Sequence, residues 1–569
     1  MGLMTPAAII LFAGLVTSAS ATAYKNCEAL SPASLLANDP TAKIDRAIWH
    51  EQTQTIQTAI APGVSVPVQI KSHCEIIGRL QQRIGVNNQA YKIRFHLRLP
   101  AQWNGRFVFQ GGSGSNGDIG DALGHVRDEG EVALNEGYAV VSQDSGHDNA
   151  TNSDPAFNGQ VAFGFDPQAR ENYGHKSLKI VTDAAKALVT NYYGRRPSHS
   201  YFVGCSKGGQ EGMTLATLYP DEFDGIIAGA PGFSLPRAAL AEAWDVQSLA
   251  PLVDGGDPAA FNPMTLFKAY SAGDLSLVRK AILSACDDLD GLADGIVGDI
   301  YHCGDAKVLP RLAAATCDGE KTDNCLSPQQ VAVLVRVMHG AVNSAGKVLY
   351  ATWFWPSGIE GEDWRLWKMG TSDGRVPAFN IILGGGSLAS VFTTPPTRLD
   401  PGQKSLASYL LAFDFDRDAS KIYAVSPPYK TSSWDDVGSR SPDIGVFLKR
   451  GGKLIIPHGE SDPVFSLKDT LAWYDEVQRR YSHIADSVRV FPVPGMCHCY
   501  GGQATNRYDA FTSLVRWVEA GKAPDVLIGT AGKTSPWPGR ERPLCPYPLV
   551  ARYDGKGDTE KAASFMCKA

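Results

Sequence analysis

The sequence predicts an α/β fold, a mostly parallel sheet covered on both faces, with a large inserted lid domain ahead of its last strands. Three observations predict it. Short apolar runs alternate with helical periodicities between Arg106 and Gly232, the rhythm of strand–helix–strand units. That rhythm stops after Pro236 and resumes at Gly452–Gly459 and Val488–Val493, so about 200 residues, the size of a domain, interrupt the sheet. Finally, Gly204-Cys205-Ser206-Lys207-Gly208 joins a strand-like run to a helix-like one, where a sharp turn needs small residues on both flanks of an exposed serine.

At 569 residues the chain has room for a large core and more than one domain. Its 44% hydrophobic and 20% charged residues are ordinary for a soluble globular protein. A net charge of −6 without a polybasic run argues against a nucleic-acid partner. No internal repeat marks a solenoid or propeller. Residues 1–23 read as an export signal: Ala7 to Val16 is apolar but too short to span a bilayer, and small residues at 21 and 23 suit cleavage before Tyr24. Met1 to Pro6 lacks the usual Lys or Arg. No other stretch reaches transmembrane length. Eleven cysteines fit an oxidising compartment, so a secreted or periplasmic protein is expected. Their spacing places local staples at 286/303, 317/325 and 545/567, leaves connectivity open and leaves at least one thiol unpaired. Without Cys-x-x-Cys spacing there is no structural zinc site to expect.

Taken in order, residues 24 to about 90 form an N-terminal segment holding Cys27 and Cys74. Tyr91–Leu99 alternates at period two, as a half-buried strand does. Arg106–Gln110 is the next strand and runs into Gly111-Gly112-Ser113-Gly114-Ser115-Asn116-Gly117, where glycines let backbone approach a ligand closely. Gly137–Ser142 is a third strand, Ser177–Tyr193 a helix with an apolar side, and Gly225–Gly232 a buried strand. The expected division is a core in two parts, 24–236 and 446–569, around a lid, 237–445, that holds six of the eleven tryptophans. Ligands of open α/β sheets bind at the carboxyl ends of the strands, so an aromatic-rich insertion there is suited to excluding water and gripping a ring.

The Ser206 turn is a nucleophile elbow, which aims a serine at the free N–H groups of the following helix. A second match, Gly370-Thr371-Ser372-Asp373-Gly374, has neither a strand before it nor a helix after it. A nucleophilic serine needs a base, and the base a carboxylate. In α/β-hydrolases the chain order is serine, acid, histidine. Asp462 follows one late strand and His498 the next, with Glu460 the rival acid and His458 the rival base, ranked instead as a pocket residue. Oxyanion donors fall at the N–H groups of Gly114 and Lys207. Cys205 adjoins the serine while Cys497 and Cys499 flank the histidine. A bridge from 205 to either would hold nucleophile and base together, since bonded cysteines lie roughly 5.5–6 Å apart at Cα. Asp287, Asp290 and Asp294 crowd one glycine-containing loop that departs from the EF-hand pattern.

These residues resemble the tannase and feruloyl esterase family of α/β-hydrolases, with its Cys-Ser pair, its Asp and its His-Cys pair, over nearly the whole mature chain. The resemblance implies bridges 205–499, 27–74, 286–303, 317–325 and 545–567, leaving Cys497 free. It implies a structural calcium ion in the lid, held by Asp287, Asp290, Asp294 and the carbonyls of Leu292 and Ile296, and no organic cofactor. It implies a small aromatic ester as substrate. Within the family the nearest likeness is to hydrolysis of a terephthalate monoester, with Trp367, Phe379 and Phe465 around the ring and Arg375 on its free carboxylate, a planar fork suited to that anion. Three departures stand out: Lys207 replaces an acidic residue, Asn380 replaces a serine, and the Gly384-Gly385-Gly386 region is lengthened. Feruloyl or galloyl esters are the alternative substrates. A binding protein that keeps the fold without catalysis is the alternative of another class, and the intact Ser, His and Asp candidates argue against it.

Overall fold

The computed structural model describes residues 27–30, 39–61, 64–126, 130–253 and 260–569. The expected export signal and its cleavage point before Tyr24 lie outside the described residues. Nine strands make the central sheet: β1 (Lys43–His50), β2 (His73–Ile84), β3 (Ala90–Pro100), β4 (Arg106–Gln110), β5 (Ala139–Gln143), β6 (His199–Cys205), β7 (Gly225–Gly229), β8 (Lys453–Gly459) and β9 (Val488–Val493). Their order across the sheet is β1-β2-β3-β5-β4-β6-β7-β8-β9. The first three and the β3–β5 pair are antiparallel, and from β5 onward all pairs are parallel. The parallel strands are buried on both faces, so they are apolar without alternation: Ala139, Val140 and Val141 of β5 are all inaccessible, as are Tyr201 and Phe202 of β6. Helices α1 (Ser177–Tyr193) and α2 (Lys207–Leu218) complete the crossovers between them.

The N-terminal segment contributes β1 and β2, two strands the sequence reading left as an unassigned stretch. Glu75 on β2 holds them to β3. Its carboxylate accepts from His50 Nε2 on β1 and from His96 Nε2 on β3, both at 2.9 Å, and pairs with Arg98 at 3.0 Å. Burial keeps the neighbouring His73 neutral, its pKa pushed down to about 4, so that its Nε2 accepts from Arg98 Nη1 at 2.6 Å.

Between β7 and β8 the described residues form helices and loops with no strand joining the sheet. Helix α3 (Leu235–Leu249) opens this stretch. Buried polar contacts fasten it to the core. Arg170, fully buried, donates to Asp436 at 2.7 Å, to Thr394 at 2.9 Å and to the Thr431 carbonyl at 3.0 Å. Glu460, the rival acid, accepts from Ser357 N and Gly495 N and from the hydroxyls of Ser357 and Ser461, which makes it a tie between lid and strand ends. The disulfides are Cys27–Cys74, Cys205–Cys499, Cys286–Cys303, Cys317–Cys325 and Cys545–Cys567, and Cys497 is free and buried. No helix among the described residues is long and apolar enough to cross a membrane.

The calcium site expected at Asp287, Asp290, Asp294, Leu292 and Ile296 is overturned. No group of three or more His, Cys, Asp or Glu side chains among the described residues is arranged to hold a metal ion. The loop's acids are occupied by other partners. Asp287 accepts from Gly295 N at 2.9 Å, and Asp290 accepts from Leu292 N at 3.1 Å. Asp294 pairs with Arg542 and Arg540, and its carbonyl accepts from Arg540 Nη1 at 2.8 Å. The two arginines give Asp294 the positive partner for which the family resemblance implied a cation.

Burial raises the pKa of the Glu75 carboxyl, but hydrogen bonds from His96 and His50 and the charge of Arg98 outweigh this and hold it well below the usual range. A lowered folded-state pKa contributes stability above the unfolded value of about 4.3 that disappears as pH falls. Glu75→Gln should cost about 3 kcal/mol in urea unfolding at pH 7, because it strands buried cations. The difference from wild type should shrink as pH falls below about 4.

Candidate active site

Ser206 caps the N-terminus of α2 with φ 66° and ψ −121°, a conformation a side chain adopts only where its surroundings enforce it. The turn is fixed on both sides: Ser206 N donates to the Gly229 carbonyl at 3.1 Å, and Gly232 N donates to the Ser206 carbonyl at 3.1 Å. The glycines follow from close approach. A Cβ on Gly204 would lie 2.6 Å from the Gly208 backbone, and one on Gly208 would lie 2.8 Å from the Gly112 carbonyl oxygen. The elbow thus presses against the 111–117 loop, which is also tied down by Gly111 N donating to the Val203 carbonyl at 2.9 Å. Gly114 lies in that loop with φ 53°, its missing Cβ facing open space.

Ser206, Asp462 and His498 meet although 292 residues separate the serine from the histidine. His498 Nδ1 is 2.7 Å from Asp462 Oδ2, and His498 Nε2 is 2.8 Å from Ser206 Oγ. Burial favours a neutral Asp462, but its interactions with His498 and His458 win and hold its carboxyl well below the usual range. An ionised carboxylate only accepts, so Nδ1–H donates to Asp462, and Nε2 is left to accept the Ser206 hydroxyl proton. Asp462 Oδ1 accepts from the N–H groups of Val464 and Phe465 at 2.8 and 3.0 Å, which orients the carboxylate. The Cys205–Cys499 bridge, with Cα atoms 6.1 Å apart, covalently joins the residue before Ser206 to the residue after His498.

His458 is fully buried. Its Nε2–H donates to the Phe465 carbonyl at 2.9 Å and its Nδ1 shares a hydrogen bond with Thr470 Oγ1 at 2.9 Å, with Asp462 Oδ2 at 3.4 Å from Nε2. The expected pocket residue therefore sits behind the acid, because both ring nitrogens are engaged in the interior. Two aromatic side chains border His498, and a third packs against one of them. Phe465 and Trp367 stand edge-on to His498 with ring centroids 5.2 and 5.6 Å away, and Phe379 stands edge-on to Trp367 at 5.3 Å. The Arg375 side chain is 85% exposed and pairs with Asp373 at 3.0 Å.

Lys207 is the first residue of α2. Its side chain is buried, with Nζ 3.1 Å from Glu211 and 4.5 Å from the centre of the Tyr173 ring. Only its backbone N–H is left at the helix start. Glu211 was missed by the sequence reading, though its position four residues after Lys207 on α2 is the signal that pairs them. It accepts from Gly112 N at 2.9 Å and from Asn116 Nδ2 at 2.9 Å, anchoring the glycine loop to the elbow helix. Tyr173 Oη donates to the Gly114 carbonyl at 3.4 Å. One buried ion pair thus positions both sides of the space above Ser206.

Comparison with known proteins agrees with this architecture. The family model described as tannase and feruloyl esterase matches residues 74–568. The chain is 42% identical over 546 residues to mono(2-hydroxyethyl) terephthalate hydrolase of Piscinibacter sakaiensis, covering 92% of this chain and 90% of that protein. It is 31% identical over 502 residues to a probable feruloyl esterase of Arthroderma benhamiae, covering 85% and 83%. The crystal structure of feruloyl esterase B from Aspergillus oryzae superposes with a TM-score of 0.71 at 22% identity, covering 96% of this chain and 100% of that one, a likeness of fold.

Glu211→Gln should lower stability to urea by about 3–5 kcal/mol, because it leaves Lys207 buried without a counter-charge. Adding Lys207→Met should recover part of that loss. A single variant as stable as wild type would show that the pair does not hold the loop.

Proposed function

The chain belongs to the tannase and feruloyl esterase family, and on that footing we propose that it is an exported serine carboxylic ester hydrolase acting on small aromatic esters. The hydrogen-bonded chain from Asp462 through His498 to Ser206, at 2.7 and 2.8 Å, carries the reading. His498 Nε2 takes the Ser206 hydroxyl proton as Oγ attacks the ester carbonyl carbon. The charge that develops on the carbonyl oxygen is met by the N–H groups of Gly114 and Lys207. His498 then gives its proton to the leaving alkoxide, which departs as the alcohol and leaves an acyl-serine. Water, deprotonated by the same nitrogen, attacks that acyl group and releases the acid. Asp462 stays ionised throughout and stabilises the imidazolium.

The ring of the acyl group lies against Trp367 and Phe465, which border His498, and Phe379, which packs on Trp367. Terephthalate monoesters of the mono(2-hydroxyethyl) type are the first substrate class, with Arg375 reaching for the distal carboxylate. Its pairing with Asp373 in solvent favours a second reading, phenolic feruloyl or galloyl esters that need no carboxylate clamp. Five disulfides support an oxidising location, outside the cell or in the periplasm.

Ser206→Ala should lower kcat on p-nitrophenyl acetate by about 10⁴-fold or more while leaving the urea midpoint in place. Retained turnover would refute the nucleophile. Arg375→Ala should raise KM for mono(2-hydroxyethyl) terephthalate about tenfold and leave methyl ferulate unaffected. Equal effects on both would remove the clamp.

A further inference from the structure

A second buried ionic centre lies in the stretch between β7 and β8, apart from the Ser206 hydrogen-bond chain. Asp245 on α3 is 1% exposed, and its Oδ2 accepts from Lys368 Nζ at 2.5 Å and from Asn380 Nδ2 at 3.2 Å. Its Oδ1 makes no hydrogen bond to the protein, so a single oxygen holds both donors. Lys368 ends helix α4 (Glu362–Lys368) and directly follows Trp367. Asn380 opens a π-helical stretch, Asn380–Gly385, and directly follows Phe379. The two donors therefore come from the two segments that carry Trp367, which stands edge-on to His498, and Phe379, which packs on Trp367.

Neither arm is loosely held. Lys368 and Asn380 are 2% and 0% exposed, and Lys368 Nζ lies 4.4 Å from the centre of the Trp353 ring. Glu242, one turn earlier on α3, packs against the same π-helical stretch, where a Cβ on Gly384 would come within 1.9 Å of Glu242 Oε2. Gly384 thus lets this stretch lie directly on α3. Asn380 is turned inward to the aspartate.

We propose that Asp245 is the positioning residue of the acyl pocket, one carboxylate oxygen setting the spacing of Trp367 and Phe379 by holding the residue next to each. This rests on the reading above, in which the acyl ring lies against those side chains. A charge-assisted hydrogen bond in a buried site is strong and directional. A ring slot displaced by about 1 Å loses much of its grip on an aromatic acyl group. An acetyl group does not reach that slot, so the effect is one of selectivity.

The test compares kcat and KM for p-nitrophenyl acetate with those for methyl ferulate and mono(2-hydroxyethyl) terephthalate in wild type, Asp245→Asn and Asn380→Ala, with urea unfolding alongside. Asn380→Ala removes one arm without leaving a buried charge unpaired, so it remains informative if Asp245→Asn does not fold. The ratio of kcat/KM for the better aromatic ester to that for acetate should fall about tenfold in each folded variant, mainly through KM. A ratio within about twofold of wild type in a folded variant overturns the role of Asp245. Wild type that cleaves none of the three esters overturns the functional reading and this inference with it.

Discussion

The backbone at Ser206 is held at φ 66°, and much of the surrounding structure serves to keep it there. An unsupported residue would leave this region at a gain of order 1–3 kcal/mol. The conformation persists because Gly204, Gly208 and Gly111 let the elbow, its helix and the glycine loop approach to distances that a Cβ would forbid. Hydrogen bonds to Gly229 and Gly232 close the turn from below. The same closeness starts α2 beneath the serine and brings the 111–117 loop over it, so the helix N-terminus and the loop N–H groups face one space.

Two kinds of tie keep distant chain at that space. The Cys205–Cys499 bond closes a sequence separation of 294 residues and makes the neighbours of nucleophile and base inseparable. Buried ions do the rest without covalent bonds. Lys207–Glu211 holds the glycine loop, Arg170–Asp436 holds the inserted stretch to the core, and Lys368–Asp245 joins two segments within it. Such pairs add little net stability over apolar residues of the same shape, but they are costly to break by halves and so fix one arrangement.

The loop from Asp287 to Asp294 shows how a local pattern misleads. Four acids in eight residues look like a cation cradle when read along the chain. In space Arg540 and Arg542, about 250 residues away in sequence, supply the positive charge to Asp294. Lys207 teaches the same lesson in reverse: a cation beside the nucleophile in sequence is paired inside the fold with Glu211.

The strands from Arg106 to Gly229 and from Lys453 to Val493 were legible because buried parallel strands must be apolar and must be separated by helices. The elbow was legible because steric crowding restricts it to small residues, and Asp462 and His498 because they follow late strands in a fixed order. Strands β1 and β2 were not legible, because an antiparallel edge is specified by its partners, here Glu75 with His50, His96 and Arg98, rather than by its own periodicity. The position of His458 behind Asp462, the partners of Lys207 and Arg375, and the meeting of Asp245 with Lys368 and Asn380 were likewise decided only by tertiary structure. Local sterics and hydrophobic burial are written in short stretches of sequence, whereas the pairing of charges depends on which distant segments folding brings together.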